Sequence, residues 1–254
     1  MVVAGGAGLR CLTADCLSRL NDRVPASTPP GRLIGSGRGA DVYDVGAGRV
    51  LRRYRNGLDV ATEAALMIHL RGTGYPVPEV FDADGTDLVM ELLTGTDMLA
   101  DLARRPWKVR DHARLLASLH DRLHAIDAPA GLRQPLGAGS AVVHLDLHPG
   151  NVMLTATGPV VIDWSNVAAG PAGADVAVAA LIMMVSEVDG LPFPVRLVTE
   201  QVRGAFVRTF TASVGDDPVP YLPDAARYRL VDPNTRPAEA HRLRRIAGQP
   251  DSPG

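Results

Sequence analysis

Between residues 32 and 54, short apolar runs alternate with glycines: Leu33-Ile34, the loop Gly35-Ser36-Gly37-Arg38-Gly39-Ala40, Val42-Tyr43-Asp44-Val45, the turn Gly46-Ala47-Gly48, then Val50-Leu51-Arg52-Arg53-Tyr54. Runs this short, rich in β-branched residues and broken by glycine, predict a meander of three strands. In the third strand, alternation sets Val50 and Arg52 on one face and Leu51 and Arg53 on the other. The period then changes. Residues 59–71 read as a helix capped by Asp59, with Val60, Met67 and Leu70 as its apolar stripe and Glu63 on that same stripe. Tyr75-Pro76-Val77-Pro78 is an extended turn, and Leu88-Val89-Met90-Glu91-Leu92 is a strand ending in the polar turn Thr94-Gly95-Thr96-Asp97. A helix over 108–126 carries Val109, Leu116, Leu119, Leu123 and Ile126 on one face. Val142-Val143, Val152-Met153-Leu154 and Val160-Val161-Ile162 read as short buried strands. An apolar helix over 176–185, an amphipathic one around 195–214 and a basic one from about 238 to 246 complete the pattern. The first 30 residues, glycine-rich and then proline-rich, read as a loosely attached extension with an amphipathic stretch over 13–20.

Composition narrows the class. The 254 residues suffice for one large core or two modest lobes, and 46% hydrophobic content with a formal charge of −2 describes a globular protein with no call for nucleic acid or an acidic membrane as partner. The longest apolar run, 176–185, is too short to span a bilayer, and the start has neither a basic leader nor a small-residue cleavage site. Cys11 and Cys16 close no useful loop, so reduced thiols in a cytoplasm are the simpler expectation. Lys108 is the only lysine; arginine carries the remaining positive charge.

The chemistry is concentrated in His144-Leu145-Asp146-Leu147-His148-Pro149-Gly150-Asn151 and, after an intervening hairpin, Ile162-Asp163-Trp164. A hydroxyl attacking a terminal phosphate needs a carboxylate to accept its proton, and the charge of the transition state needs divalent cations on hard oxygen ligands. Asp146 suits the first task; Asn151 and Asp163 suit the second, with Mg²⁺ as the ion. His144 and His148 have the spacing of zinc ligands on a helix, but a strand precedes them and Pro149 follows, so that helix cannot form. The glycine loop leads into a strand, which excludes a dinucleotide-binding turn.

This pattern resembles the catalytic loop and metal-binding aspartate of the kinase-like superfamily, and its His-Pro-Gly-Asn form is closest to the aminoglycoside phosphotransferase family. The resemblance implies an α+β, two-lobed protein-kinase-like fold: a flexible extension over 1–30, a small antiparallel β lobe with one helix over 31–92, a mainly helical lobe over 93–247 and a tail over 248–254. It implies that Gly35, Ser36, Gly37 and Arg38 cover the nucleotide phosphates and that Arg52 stands where relatives carry lysine, paired with Glu63. It further implies that Glu91 and Leu93 mark the hinge against the purine, and that His144, His148 and Asp175 support the catalytic loop. Two local readings stay open beside it: Arg52 and Arg53 as solvated edge charges with Glu63 at the rim of its helix, and Asp175 as a plain N-cap.

The implied reaction moves the γ-phosphate of ATP or GTP to a hydroxyl of a small molecule. Glu187, Asp189, Glu200, Asp216, Asp217 and Asp224 could greet a cationic acceptor such as an aminosugar or amino alcohol. No protein partner is expected, because the interval from Asp163 to Asp175 leaves no room for a protein kinase's activation segment. The alternative is a nucleotide-binding protein impaired in catalysis by arginine at position 52; intact Asp146, Asn151 and Asp163 argue against it. His112, His120 and His124 read as core or surface histidines, since none has a partner cluster in the sequence around it.

Overall fold

Glycine punctuation and short β-branched runs give the chain its antiparallel sheet, and longer apolar periodicities give its helices. The computed structural model describes residues 31–249 apart from Arg38, Asn56, Leu58, 187–192 and 233–234; the stretch 13–20, Cys11, Cys16, Glu187, Asp189 and the tail beyond 249 lie outside the described residues. The chain divides into two compact units. One takes the described part of Met1–Gly95 together with Thr155–Ser165, the other Thr96–Leu154 with the rest of the chain from Asn166.

The first unit is built on a sheet of five antiparallel strands. These are β1 (Arg32–Ser36), β2 (Ala40–Gly46), β3 (Arg49–Tyr54), β4 (Val80–Asp84) and β5 (Asp87–Glu91), in the order β1-β2-β3-β5-β4. β3 is central, and Arg52 faces Val42 on one side and Leu88 on the other. Its residues Val50, Leu51 and Tyr54 are buried, as are Ala64, Leu66, Met67 and Leu70 of helix α1 (Ala61–Gly72), which packs against β4. Asp59 does not cap this helix in the expected way. Its carboxylate accepts the amide of Ala61 at 2.9 Å in a tight turn of its own, and the helix begins after Val60. Residues 155–165, expected with the second lobe, belong here: the amide of Val161 donates to the carbonyl of Pro76 at 2.8 Å, and Tyr75 meets Trp164 edge to face at 5.8 Å.

The expected polar turn at 94–97 is instead a short strand, β6 (Gly95–Asp97). It runs into helix α2 (Met98–Arg104), which Asp97 caps by accepting the amide of Ala100 at 2.8 Å. The second unit continues with α3 (Val109–His124), β7 (Ala141–Val143), β8 (Val152–Thr155) and β10 (Ala168–Gly170), while β9 (Gly158–Val161) belongs to the first. It ends with α4 (Ala172–Val185), α5 (Phe193–Ser213), α6 (Leu222–Leu230) and α7 (Pro237–Ile246). α4 is apolar on every side and buried along nearly its whole length, so it forms the axis of this unit. Val178 and Leu181 of α4 share one core with Val143, Leu145, Ala225, Ala226 and Leu243. β7 and β10 pair antiparallel, and just before β7 the backbone of Gly139 passes so near Gly170 that a Cβ would stand 2.2 Å from its carbonyl carbon. Only glycine fits there. Among the described residues no helix is long and apolar enough to cross a membrane.

Candidate functional site

The loop after β7 is shaped by an alternation of buried and turned-out side chains. Leu145 and Leu147 are fully buried, so Asp146 and His148 between and after them face the other way, their side chains 23% and 26% exposed. Leu145 makes the turn by taking a left-handed backbone, φ 61, a conformation that costs a non-glycine residue free energy and persists only where surrounding contacts enforce it. The enforcing group is Asp175. Its carboxylate accepts the amide of Leu145 at 2.6 Å and that of His144 at 3.2 Å. Asp175 sits inside the first turn of α4, whose N-cap position is Pro171, so the plain N-cap reading is corrected. The helix starts earlier than the apolar run, with Pro171 extended at the N-cap and Ala172, Gly173 and Ala174 in the first turn.

After His148 the chain closes one 3₁₀ turn, Pro149–Asn151. The amide of Gly150 donates to Nδ1 of His148 at 3.1 Å, which leaves the proton of the neutral ring on Nε2; a Cβ at position 150 would stand 2.8 Å from that ring. The turn delivers Asn151 back to Asp146. Its Nδ2 donates to the main-chain oxygen of Asp146 at 2.8 Å and to Oδ2 at 3.2 Å, which turns the amide oxygen elsewhere. Nε2 of His148 stands 4.0 Å from Oδ1 of Asp146, and a guanidinium nitrogen of Arg229 stands 3.9 Å from the same oxygen. Arg229 is mostly buried and is held by Asp232 at 2.9 Å. Nothing in the sequence pointed to it, because α6 has too weak a periodicity to be read.

Asp175 is wholly buried. Burial works to raise its pKa, but the bonds and charges of His120 and His124 outweigh burial and hold it well below the ordinary 3.8. These two histidines of α3 do have a partner cluster, against expectation. His124 Nε2 lies 3.0 Å and His120 Nδ1 3.6 Å from Oδ2 of Asp175, while His120 Nε2 meets the carbonyl of Leu147 at 3.2 Å. His112 is bonded to the buried Asp101 at 2.7 Å. The carboxylate partners of His124 lie 51 and 92 residues away along the chain, so no local pattern announces them.

In the first unit Arg52 is the centre. Its guanidinium reaches Oδ1 of Asp163 at 2.6 Å and Oε1 of Glu63 at 3.4 Å, and it lies over the ring of Tyr54, 4.7 Å from the centroid. Its side chain is 14% exposed, which excludes a solvated edge charge; Arg53, by contrast, forms a fork with Asp87 at 2.8 and 2.6 Å. Glu63 is buried and not at a rim, and it also accepts the hydroxyl of Tyr54 at 2.7 Å. Burial raises its pKa above 4.5, only partly offset by Arg52 and Tyr54. Asp163 has a left-handed backbone, φ 65, and its Oδ1 also accepts Oγ of Ser165 at 3.0 Å.

The other expected nucleotide contacts are less committed. In the glycine loop the amide of Gly37 is bonded to the carbonyl of Ala40 at 2.9 Å, Ser36 donates to Asp41 at 2.7 Å, and Gly35 has room for a side chain; Arg38 lies outside the described residues. Glu91 accepts the amide of Glu79 at 3.2 Å, and Leu93 is half-buried. Of the acids proposed to meet a cationic acceptor, Glu200, Asp216 and Asp224 pair with Arg203, His124 and Arg227, and Asp217 accepts the amide of Val219. Lys108 sits in a 3₁₀ turn of the second unit and not on the sheet of the first unit that carries Arg52.

A family model described as "Phosphotransferase enzyme family" matches residues 30–139 and 132–212, more than half of the chain. No curated protein matches. Among solved structures, the aminoglycoside phosphotransferase of a streptomycin–ATP ternary complex aligns with a TM-score of 0.58 at 13% identity, covering 93% of this chain and 96% of that one. An ethanolamine kinase of Plasmodium vivax aligns with a TM-score of 0.57 at 10% identity, covering 85% and 81%. An aminoglycoside-3'-phosphotransferase of type VIII aligns with a TM-score of 0.51 at 21% identity, covering 87% and 94%. At these identities the likeness is one of fold, the protein-kinase-like α+β fold expected from the motifs.

Proposed function

We propose that this chain, which belongs to the phosphotransferase enzyme family, moves the γ-phosphate of ATP or GTP to a hydroxyl of a small molecule. The observation that carries the reading is the fixed carboxylate of Asp146, turned out by a left-handed residue on one side and bonded by Asn151 on the other. Asp146 orients the acceptor hydroxyl and takes its proton. Arg52, buried against Glu63, supplies the positive charge that relatives draw from lysine and meets phosphate as a planar fork. His148 caps the turn that presents Asn151. The amide oxygen of Asn151 and the carboxylate of Asp163, whose Oδ1 bonds Arg52, are hard oxygen donors that would suit Mg²⁺. When bound, Mg²⁺ would neutralise charge on the phosphates. The glycine loop at Gly35-Ser36-Gly37 and the hinge at Glu91 and Leu93 are assigned to the nucleotide on the family pattern.

The bond from Arg52 to Asp163 favours one second reading, a nucleotide-binding protein impaired in catalysis. One experiment separates the two: thermal unfolding with Mg·ATP and Mg·GTP for the wild type and Asp163→Ala, beside phosphate transfer to a panel of amino alcohols, aminosugars and neutral polyols. A nucleotide at a hundred times its Kd should add about 2.7 kcal/mol to stability. The metal-dependent part should vanish in Asp163→Ala, and Asp146→Ala should lower turnover by about two to four orders of magnitude. A stability gain without any turnover would support the impaired reading, and no gain with either nucleotide would overturn both.

A further inference from the structure

His124 takes no part in the phosphate transfer proposed above, yet its side chain is 3% exposed and both of its ring nitrogens meet carboxylates: Nε2 meets Asp175 at 3.0 Å and Nδ1 meets Asp216 at 3.1 Å. A neutral imidazole has one N–H and one lone pair, so it can satisfy only one of two acceptors. Two carboxylates on opposite sides require the imidazolium, which donates to both. Asp216 lies just beyond α5, Asp175 is in the first turn of α4, and His124 ends α3. One charged ring therefore ties together three segments that meet nowhere in the sequence.

Asp175 in turn holds the amides of His144 and Leu145. We infer that His124 is a positioning residue: as an imidazolium it locks the carboxylate of Asp175 in the orientation that pins the left-handed turn at Leu145, and so sets where Asp146 points. The inference rests on the phosphotransfer reading for its effect on catalysis, and on geometry alone for its effect on the loop. A metal in place of the proton is the rival for these side chains, since His120, His124 and Asp175 are the one group of three such ligands among the described residues. The separation decides against it. Two ligands of tetrahedral zinc stay about 3.3 Å apart, whereas Nε2 and Oδ2 are at hydrogen-bond distance and Oδ2 also accepts a backbone amide.

The groups around the ring fix the direction of its pH response. From α4 it faces Asp175, and from the segment after α5 it faces Asp216. On α3 itself its ring neighbour is His120, 5.5 Å away, and Asp121 is turned to the amide of Gly215 at 2.9 Å. Phe210 of α5 covers His120. Burial works to lower the pKa of His124, but the two carboxylates prevail and raise it above 6.5. A histidine whose folded pKa is raised contributes fully below its unfolded value, and the contribution is lost as pH rises through the folded pKa. The brace should thus loosen on the alkaline side.

The test uses the full chain, with Asp216→Asn, His124→Gln and His124→Ala. Asp216→Asn leaves the catalytic loop untouched and changes a residue whose side chain is 40% exposed, so it remains informative if a variant at position 124 fails to fold. It should move the alkaline fall of kcat to lower pH. His124→Ala should lower kcat about tenfold to a hundredfold, the scale of a misplaced reacting group, with KM for the nucleotide within twofold. His124→Gln keeps one N–H donor without the charge; it should recover most of kcat and flatten the alkaline limb. In parallel, exchange protection of the Leu145 amide should fall across the same pH range in the wild type and at lower pH in Asp216→Asn. Superposable kcat–pH and Leu145 protection profiles for wild type and Asp216→Asn would overturn the inference. If the wild type transfers no phosphate at all, the functional reading fails, and Leu145 protection alone still decides the brace.

Discussion

Glu63 and Asp175 are both buried carboxylates, one in each unit, and their acidities move in opposite directions. Burial pushes both towards the neutral acid. Asp175 overcomes it because two backbone amides, at 2.6 and 3.2 Å, and two imidazoles converge on one group. Glu63 has a tyrosine hydroxyl at 2.7 Å, one backbone hydrogen bond from Trp164 and a guanidinium only at 3.4 Å, and that guanidinium is shared with Asp163 at a shorter distance. Donors at contact distance, and not burial, decide whether a carboxylate is held rigidly ionised. Asp175 is built to stay put; Glu63 is built to hold Arg52 loosely enough for Arg52 to meet something else.

The comparison breaks most visibly at Asp175. Asp175→Ala strands two amides and the imidazolium, and loss of one partner from a buried ionic network should cost about 3–5 kcal/mol in urea unfolding. Glu63→Gln keeps an acceptor for Tyr54 and leaves Arg52 paired with Asp163, so the loss should be that of a charged hydrogen bond, about 1.5–3 kcal/mol, with weaker binding of Mg·ATP as the sharper readout. A cost at Glu63 equal to that at Asp175 would remove the distinction.

The smallest effect is in pH dependence, where the signs differ. Asp175, with its pKa lowered, contributes stability above 3.8 that is lost as pH falls through its folded pKa; Glu63, with its pKa raised, contributes most below 4.5 and less as pH rises through its folded pKa. Relative to wild type, Glu63→Gln should therefore regain stability as pH rises above 4.5, while Asp175→Asn should lose ground as pH rises towards 3.8. Parallel curves for the two variants would contradict the opposed shifts.

Much of this was legible in the chain itself. The meander, the apolar helix at α4 and the catalytic signature follow from patterns a few residues long, and the meeting of Arg52 with Glu63 follows from a charge placed on a buried stripe. What escaped depends on long-range geometry. His120 and His124 looked solitary because their partners come from other helices. Arg229 arrives beside Asp146 from α6, which like α2 is too short and mixed to show a period. The N-cap reading of Asp175 stays open in the sequence because the small residues before it, Gly173 and Ala174, carry no stripe.

Leu145 combines a backbone of the hand that glycine favours with a side chain sunk fully in the core. Each half depends on the other: the core anchors the side chain, and α4 supplies the carboxylate that anchors the amide. A chain still searching for its structure has neither, and there leucine prefers the right-handed or extended conformations. The consequence concerns timing. During refolding, exchange labelling should find the Leu145 amide protected no earlier than the amides of α4; earlier protection would contradict this. The catalytic loop thus takes its shape no earlier than the helix whose carboxylate braces it.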